Sequence, residues 1–297
     1  MKSCSRLIAV LALALPLLLS GCRFTTRKLP VPKEPLVTQV VAPEELVSQL
    51  NQRWSGFESL TAKVEIQASQ LKAKEGLATD YTTFPGFILM RKPGLLHVVG
   101  QVPVLGTKMF DYANDDKDFT LFLPSKNKAF KGSNSLKKKS ANWIENLRPG
   151  FFFDAMAVRG LEPDDLYSVT ADSITDEDSA RKHFFVVPRY ILSISRRKPD
   201  TQQLTPVRVV YFHRDDLLPY QQDLYDNDGN LETQVKYFSY QNFGAIKYPS
   251  RVVIERPLEE LRIVLTVERV DENMILKDDQ FHIQIPEGTV IQNQNLE

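Results

Sequence analysis

The sequence predicts a mainly β, α+β fold: one antiparallel sheet, curled or half-closed, with helices against its concave face. Three observations predict it. From Leu60 onward, most of the chain alternates apolar and polar residues with period two. The connections between these runs are short and carry turn residues, as in Lys92-Pro93-Gly94 and Asp226-Asn227-Asp228-Gly229-Asn230. Helical periodicity is confined to a segment before the first strand and a short interruption between two strand series. Consecutive strands with tight turns pair as an antiparallel meander, because βαβ units need long crossovers.

The first helix is expected over Pro43–Phe57. Proline suits its first turn, Glu44 and Glu45 favour its positive end, and Gly56 lies near its close. Leu46, Leu50 and Trp54 recur every four residues, with Val47 and Phe57 beside them, so one apolar stripe must find a partner. The period then becomes two: Leu60, Ala62, Val64, Ile66 and Ala68 alternate with Thr61, Lys63, Glu65 and Gln67. Further strands are expected at Phe87–Met90, Leu95–Gly100, Lys108–Tyr112 and Phe119–Leu123. A second series covers Tyr167–Thr170, His183–Val187, Tyr190–Ser195, Val207–His213, Tyr220–Tyr225, Glu232–Tyr240, Lys247–Glu255 and Leu261–Val270. Between the series, Ser140–Leu147 and Pro149–Val158 read as two short helices. Phe151, Phe152, Phe153, Met156, Ala157 and Val158 make the second apolar nearly all round, so both its faces want cover.

The amino terminus has another logic. Lys2 and Arg6 precede an almost wholly apolar run from Leu7 to Leu19, and small residues stand before a cysteine in Leu19-Ser20-Gly21-Cys22. The run falls short of the ~20 residues a bilayer-spanning helix needs. The pattern resembles the lipobox of bacterial lipoproteins. That resemblance implies a signal peptide over 1–21 and acyl chains on Cys22. Residues 22–42, with Pro30, Pro32 and Pro35, read as an extended tether, and 43–297 as the folded domain.

Composition narrows the function. Lysine plus arginine balance aspartate plus glutamate at 37 each, which argues against a general nucleic-acid binder. The cysteines are Cys4, within the signal, and Cys22, so the mature domain is expected to have no disulfide and to depend on its core. His97, His183, His213 and His282 fall in or beside different strands, without metal-ligand spacing. Hydrolase, zincin, Walker A and dinucleotide motifs are absent from the sequence. Asp226–Gly229 lacks carboxylates at the first and twelfth positions of a calcium loop and reads as a hairpin turn. His213-Arg214-Asp215-Asp216 reads as a solvated strand end. The chain is therefore expected to be non-enzymatic, without metal or cofactor.

Two segments suggest contact with other molecules. Pro124–Arg148 holds Lys126, Lys128, Lys131, Lys137, Lys138 and Lys139 against one acid, Glu145. Such a segment meets anionic lipid or an acidic partner, or is a solvated loop. Gly100-Gln101-Val102-Pro103-Val104-Leu105-Gly106 joins two strands yet puts aliphatic residues in a turn. Either it tucks inward or it is an apolar tip that meets lipid.

The order of these motifs resembles the lipoprotein carrier and receptor proteins of the bacterial outer-membrane sorting pathway, the Lol system (LolA/LolB-like). The opening helix, Gly86-Phe87-Ile88-Leu89-Met90-Arg91-Lys92-Pro93-Gly94, Pro103-Val104-Leu105-Gly106, the apolar helix at Pro149–Arg159 and Phe281-His282-Ile283-Gln284-Ile285-Pro286-Glu287-Gly288 carry the similarity. The last resembles the family's closing strand. The resemblance implies an unclosed half-barrel with a helical lid over an apolar cavity for acyl chains, nearest to the membrane-anchored receptor. Val104 and Leu105 would form its membrane-insertion tip. Lys92 falls where the carrier has an arginine latching its lid; lysine lacks the planar fork, and Arg91 is the substitute. Lid and gate would then comprise Lys92, Arg91, Phe151, Phe152 and Met156. Alternation places Leu89, Leu95, Val98, Phe110, Val209, Tyr211, Ile263 and Leu265 on the cavity wall. The implied protein sits at the outer membrane, lipid-anchored and facing the periplasm. It would accept acylated lipoproteins or lipids, with a periplasmic carrier protein as partner. The alternative is a scaffold or assembly lipoprotein whose half-barrel binds a protein.

Overall fold

The computed structural model describes residues 38–72, 76–115, 117–133, 150–178 and 183–293. The signal peptide, Cys22, most of the tether and the helix expected at Ser140–Leu147 lie outside them. In chain order the strands are β1 (Ser59–Lys72), β2 (Leu77–Asp80), β3 (Phe84–Arg91), β4 (Leu95–Gln101), β5 (Lys108–Asp115), β6 (Asp118–Leu123) and β7 (Lys128–Ser133). There follow β8 (Leu166–Asp178), β9 (His183–Arg197), β10 (Leu204–His213), β11 (Pro219–Tyr225), β12 (Leu231–Phe243), β13 (Ile246–Arg256), β14 (Leu261–Glu272) and β15 (Val290–Asn293). The helices are α1 (Pro43–Gly56) and α2 (Gly150–Met156). The unit analysed below is Leu36–Ile174 with Val187–Glu297.

The strands form one open, curled sheet, ordered β15-β7-β6-β5-β4-β3-β1-β14-β13-β12-β11-β10-β9-β8, with β2 paired to β1. The two meanders expected from the turn chemistry are its halves. They meet at one non-sequential pairing, β1 on β14, running from Leu60 opposite Glu272 to Gln70 opposite Leu261. Both strands present their apolar residues to the same side. Leu60, Val64, Ile66 and Ala68 from β1 and Ile263, Leu265, Val267 and Val270 from β14 are buried in one cluster. A bulge between Lys63 and Val64 shifts the register, so that Val64 pairs with Val267 while Ala62 pairs with Val270.

The helices follow from their sequences. Pro43 opens α1, Glu44 and Glu45 occupy its first turn and Arg53 its last. Its stripe of Leu46, Val47 and Leu50 is buried against Tyr190, Leu192 and Ile194 of β9 and Val210 and Phe212 of β10. The all-round apolarity of α2 is matched by all-round burial: Phe151, Phe152, Phe153, Ala155 and Met156 are each at most 4% exposed.

Three expectations are corrected. Phe281–Gly288 is not a closing strand. A 3-10 turn at Asp278–Phe281 leads into an extended segment and a second turn, where Thr289 N–H donates to the Pro286 carbonyl and Gly288 takes φ +79°. Proline removes a ladder donor there, and the pairing passes to β15, which runs parallel to β7. The basic segment is not all loop, since Lys128–Ser133 is β7 and pairs with β6. The two strands expected at 183–187 and 190–195 are one, β9, running through Pro188.

The carboxyl-terminal turn covers the outer face of β3–β5. Arg91 donates to the Leu276 carbonyl, pairs with Asp278 and lies 5.2 Å above the Phe281 ring. His97 Nδ1 is 2.5 Å from the Gln280 carbonyl, its Nε2 2.6 Å from Asp111, and Lys108 reaches the other Asp111 oxygen at 2.5 Å. Burial works against ionised Asp111, but the hydrogen bonds and charges of His97 and Lys108 prevail and hold its carboxyl below the usual aspartate range. A depressed native pKa stabilises above the unfolded value near ~3.9 and is lost as pH falls through the native one. The wild type should therefore lose melting temperature more steeply than Asp111→Asn between about pH 5 and pH 2. Parallel curves for the two proteins would remove Asp111 from acid stability.

Candidate functional site

The site is built around the end of α2. A helix leaves its last carbonyls without intrahelical donors, and here sheet side chains supply them. Gln222 of β11 donates to the Asp154 carbonyl and to the Tyr237 hydroxyl of β12, the latter at 2.5 Å. Tyr248 of β13 donates to the Met156 carbonyl at 2.6 Å, its oxygen 3.7 Å from the Met156 sulfur. Asp154 also pairs with Arg159 at 2.5 Å, and the Arg159 guanidinium lies 4.9 Å over the Phe153 ring. At the other side Phe151 stacks on Phe152 at 4.4 Å and lies 4.8 Å beneath the Arg256 guanidinium. Burial raises the phenol pKa of Tyr237, Tyr240 and Tyr248 above the usual tyrosine range, so all three stay neutral, Tyr237 accepting from Gln222 and the other two donating to backbone carbonyls.

Beside this helix end lies a cavity of 490 Å³, within the ~300–1,000 Å³ of small-molecule sites. Trp54 and Phe57 of the α1 end, Met156–Val158, and Tyr237, Tyr240 and Tyr248 of the sheet form its walls. Arg53, Lys247 and Glu272 are its charged members. Among the described residues, no three His, Cys, Asp or Glu side chains are grouped to hold a metal.

The expected lid residues Phe151, Phe152 and Met156 come together, and Met156 borders the cavity. Lys92 holds a different element: its ammonium donates to the Trp54 carbonyl and sits 4.3 Å over the Trp54 ring, fastening the end of α1. Trp54 in turn meets Phe153 edge-on at 6.4 Å, so Lys92 supports α2 through an intermediary. Arg91 is engaged on the outer face with Leu276 and Asp278, so the gate assigned to it is corrected.

The residues assigned to the cavity wall fall into two sets of four. Val98, Phe110, Ile263 and Leu265 are buried on the inner face. Leu89, Leu95, Val209 and Tyr211 are one residue out of phase; the buried positions are Ile88 and Met90, Leu96, and Val210 and Phe212. A strand's side chains change face at every residue, and runs such as Phe87-Ile88-Leu89-Met90 offer no polar residue to fix the phase. None of the eight borders the 490 Å³ cavity. Of the residues that do, the sequence picks out Met156 as a site residue, and it picks out neither of the two donors to α2. Gln222 had a signal: a polar side chain at a position the fold buries completely.

The Val104-Leu105 turn projects outward, and the inward alternative is excluded. Val102 N–H donates to the Thr107 carbonyl and Gly106 N–H to that of Val102, closing the turn on its own backbone. Val104 is fully exposed and Leu105 is 73% exposed. Val104 takes φ +69°, costly for a β-branched residue at about 1–3 kcal/mol. The registers put this turn at the end of the sheet where β1 finishes. The cavity lies where β1 begins, beside the Leu60–Glu272 pair.

No family model and no curated protein matches the chain. A DUF1329 family protein from Desulfovibrio piger shares the fold at a TM-score of 0.50 and 15% identity, covering 80% of this chain and 95% of its own. A LolA superfamily protein from Nitrosomonas europaea aligns at a TM-score of 0.49 and 15% identity, covering 82% of this chain and 99% of that one.

The hydrogen bond to the Met156 carbonyl is a direct handle on α2. Tyr248→Phe keeps the ring and removes the donor, which should lower the melting temperature by roughly 2–4 °C, for a loss near 1 kcal/mol. The backbone amides of 151–157 should also exchange with solvent faster in the variant than in wild type. Unchanged exchange there with a lowered melting temperature would mean that Tyr248 stabilises the fold without restraining α2.

Proposed function

We propose that this protein is a non-enzymatic envelope lipoprotein, anchored through acylated Cys22 to the outer membrane and facing the periplasm. In this reading it accepts acyl chains of lipoproteins or other lipidated cargo from a periplasmic carrier protein and passes them to the membrane. The observation that carries the reading is α2: seven residues of mostly apolar helix, held at its end by two sheet side chains, beside an apolar cavity. Each methylene removed from water is worth about 0.8 kcal/mol, so a sixteen-carbon chain exposed in the periplasm is disfavoured by roughly 12 kcal/mol. An apolar helix that swings aside exchanges one buried hydrocarbon surface for another. The exposed tip at Val104 and Leu105, at the far end of the sheet, supports a membrane contact for release.

The scaffold reading, in which the half-barrel binds a protein and keeps its interior filled, is favoured by the near-complete burial of α2. Lipid occupancy separates the two. Under the transport reading, native mass spectrometry of the anchor-free domain shows co-purified acyl lipid, or neutral monoacylglycerol binds on addition. Under the scaffold reading neither occurs. Leu105→Glu should reduce delivery of a bound acyl probe to vesicles at least tenfold, since a charge replaces an inserting leucine. Normal delivery by that variant removes the tip from the mechanism.

A further inference from the structure

The inner face of β14 breaks its own rule at its end. Leu261, Ile263, Leu265, Val267 and Val270 all point into the core, and the next position in register, opposite the buried Leu60, is Glu272. Its carboxylate borders the cavity among Phe57, Met156, Tyr240 and Tyr248. Among the described residues it receives no hydrogen bond and no ion pair. Lys92, Arg53 and Lys247 are engaged elsewhere, with Trp54, the Leu217 carbonyl and Asp216. The phenols are satisfied too: Tyr240 donates to the Pro219 carbonyl and Tyr248 to that of Met156. The charge the cavity wall leaves without a partner is therefore one half-buried anion set beside ring surface, the combination that receives an ammonium group. Two cations, Arg53 and Lys247, stand in the same wall.

We propose that the cavity receives the zwitterionic head of an aminophospholipid, its ammonium on Glu272 and its phosphodiester toward Arg53 and Lys247. The proposal rests on the acyl-cavity reading and names the cargo chemistry of that site. It follows from charge complementarity: an acyl chain alone uses the apolar walls but leaves Glu272 unpaired, and a free fatty acid brings a second carboxylate against it. Burial raises the Glu272 carboxyl pKa above the usual glutamate range, a penalty that a bound ammonium relieves.

Three single-chain probes of equal tail length, titrated below their micelle thresholds onto the anchor-free domain, test it: monoacylglycerol, lysophosphatidylglycerol and lysophosphatidylethanolamine. The ethanolamine lipid should bind about tenfold tighter than the glycerol lipid, the factor one charge-assisted hydrogen bond supplies. Glu272→Gln should collapse that ratio toward one. Equal affinities for the two phospholipids in the wild type overturn the proposal while leaving the acyl cavity standing if monoacylglycerol binds. A ratio that persists in Glu272→Gln overturns the assignment to this residue. Failure of all three probes to bind removes the cavity reading and this proposal together.

Discussion

The structure depends on one pairing. Each meander alone presents an apolar face on only one side, and neither has a second layer large enough to cover it. Joining β1 to β14 makes the two faces continuous, so both meanders curl around a single core. The join is demanding because it brings together residues some two hundred positions apart in the chain, from Leu60 with Glu272 to Gln70 with Leu261. Such a contact pays its loop-closure entropy before it gains anything. The alternation of both strands compensates, since Leu60, Ala62, Val64, Ile66 and Ala68 on one side and Leu261, Ile263, Leu265, Val267 and Val270 on the other are apolar and buried in one cluster.

An open sheet with one apolar face still needs cover, and α2 provides it. The helix has seven residues, too few to be stable alone, so its structure comes from the site it fills. That dependence makes it a candidate for movement. Its attachment consists of aromatic packing, which any hydrocarbon can replace, and a few directed hydrogen bonds to backbone carbonyls, which water can replace. Elements with such replaceable contacts open at lower free energy than the strands around them.

Charge is arranged by face. On the outer side of β3–β5, Arg91, His97, Lys108 and Asp111 are paired and tie the carboxyl-terminal turn to the sheet. The same turn leaves the β4–β5 tip uncovered, so Val104 and Leu105 project into solvent with no neighbour to shield them. On the inner side, Arg256 and Arg208 are buried but donate to side-chain or carbonyl oxygens. Glu272 stands apart from these, beside the rings of the cavity wall and with no donor to its carboxylate among the described residues.

The sequence by itself determined the strand series, the turns, the amphipathic stripe of α1 and the all-round apolarity of α2, because each is a local periodicity. It also determined the inward set of β1 and β14, where Leu60 to Ala68 alternate with polar residues and Leu261 to Val267 do so except at Val264. It left the phase of Leu89, Leu95, Val209 and Tyr211 undetermined, since consecutive apolar residues give both faces equal claim. Only the tertiary structure decided that Lys92 fastens α1, that Arg91 serves the outer face, and that Gln222 and Tyr248 hold α2. Those roles depend on side chains meeting across strands far apart in the chain, a distance that no local pattern encodes. The charged end of an otherwise apolar inner strand was visible as a letter in the sequence, but its meaning came from the cavity that the helices leave beside it.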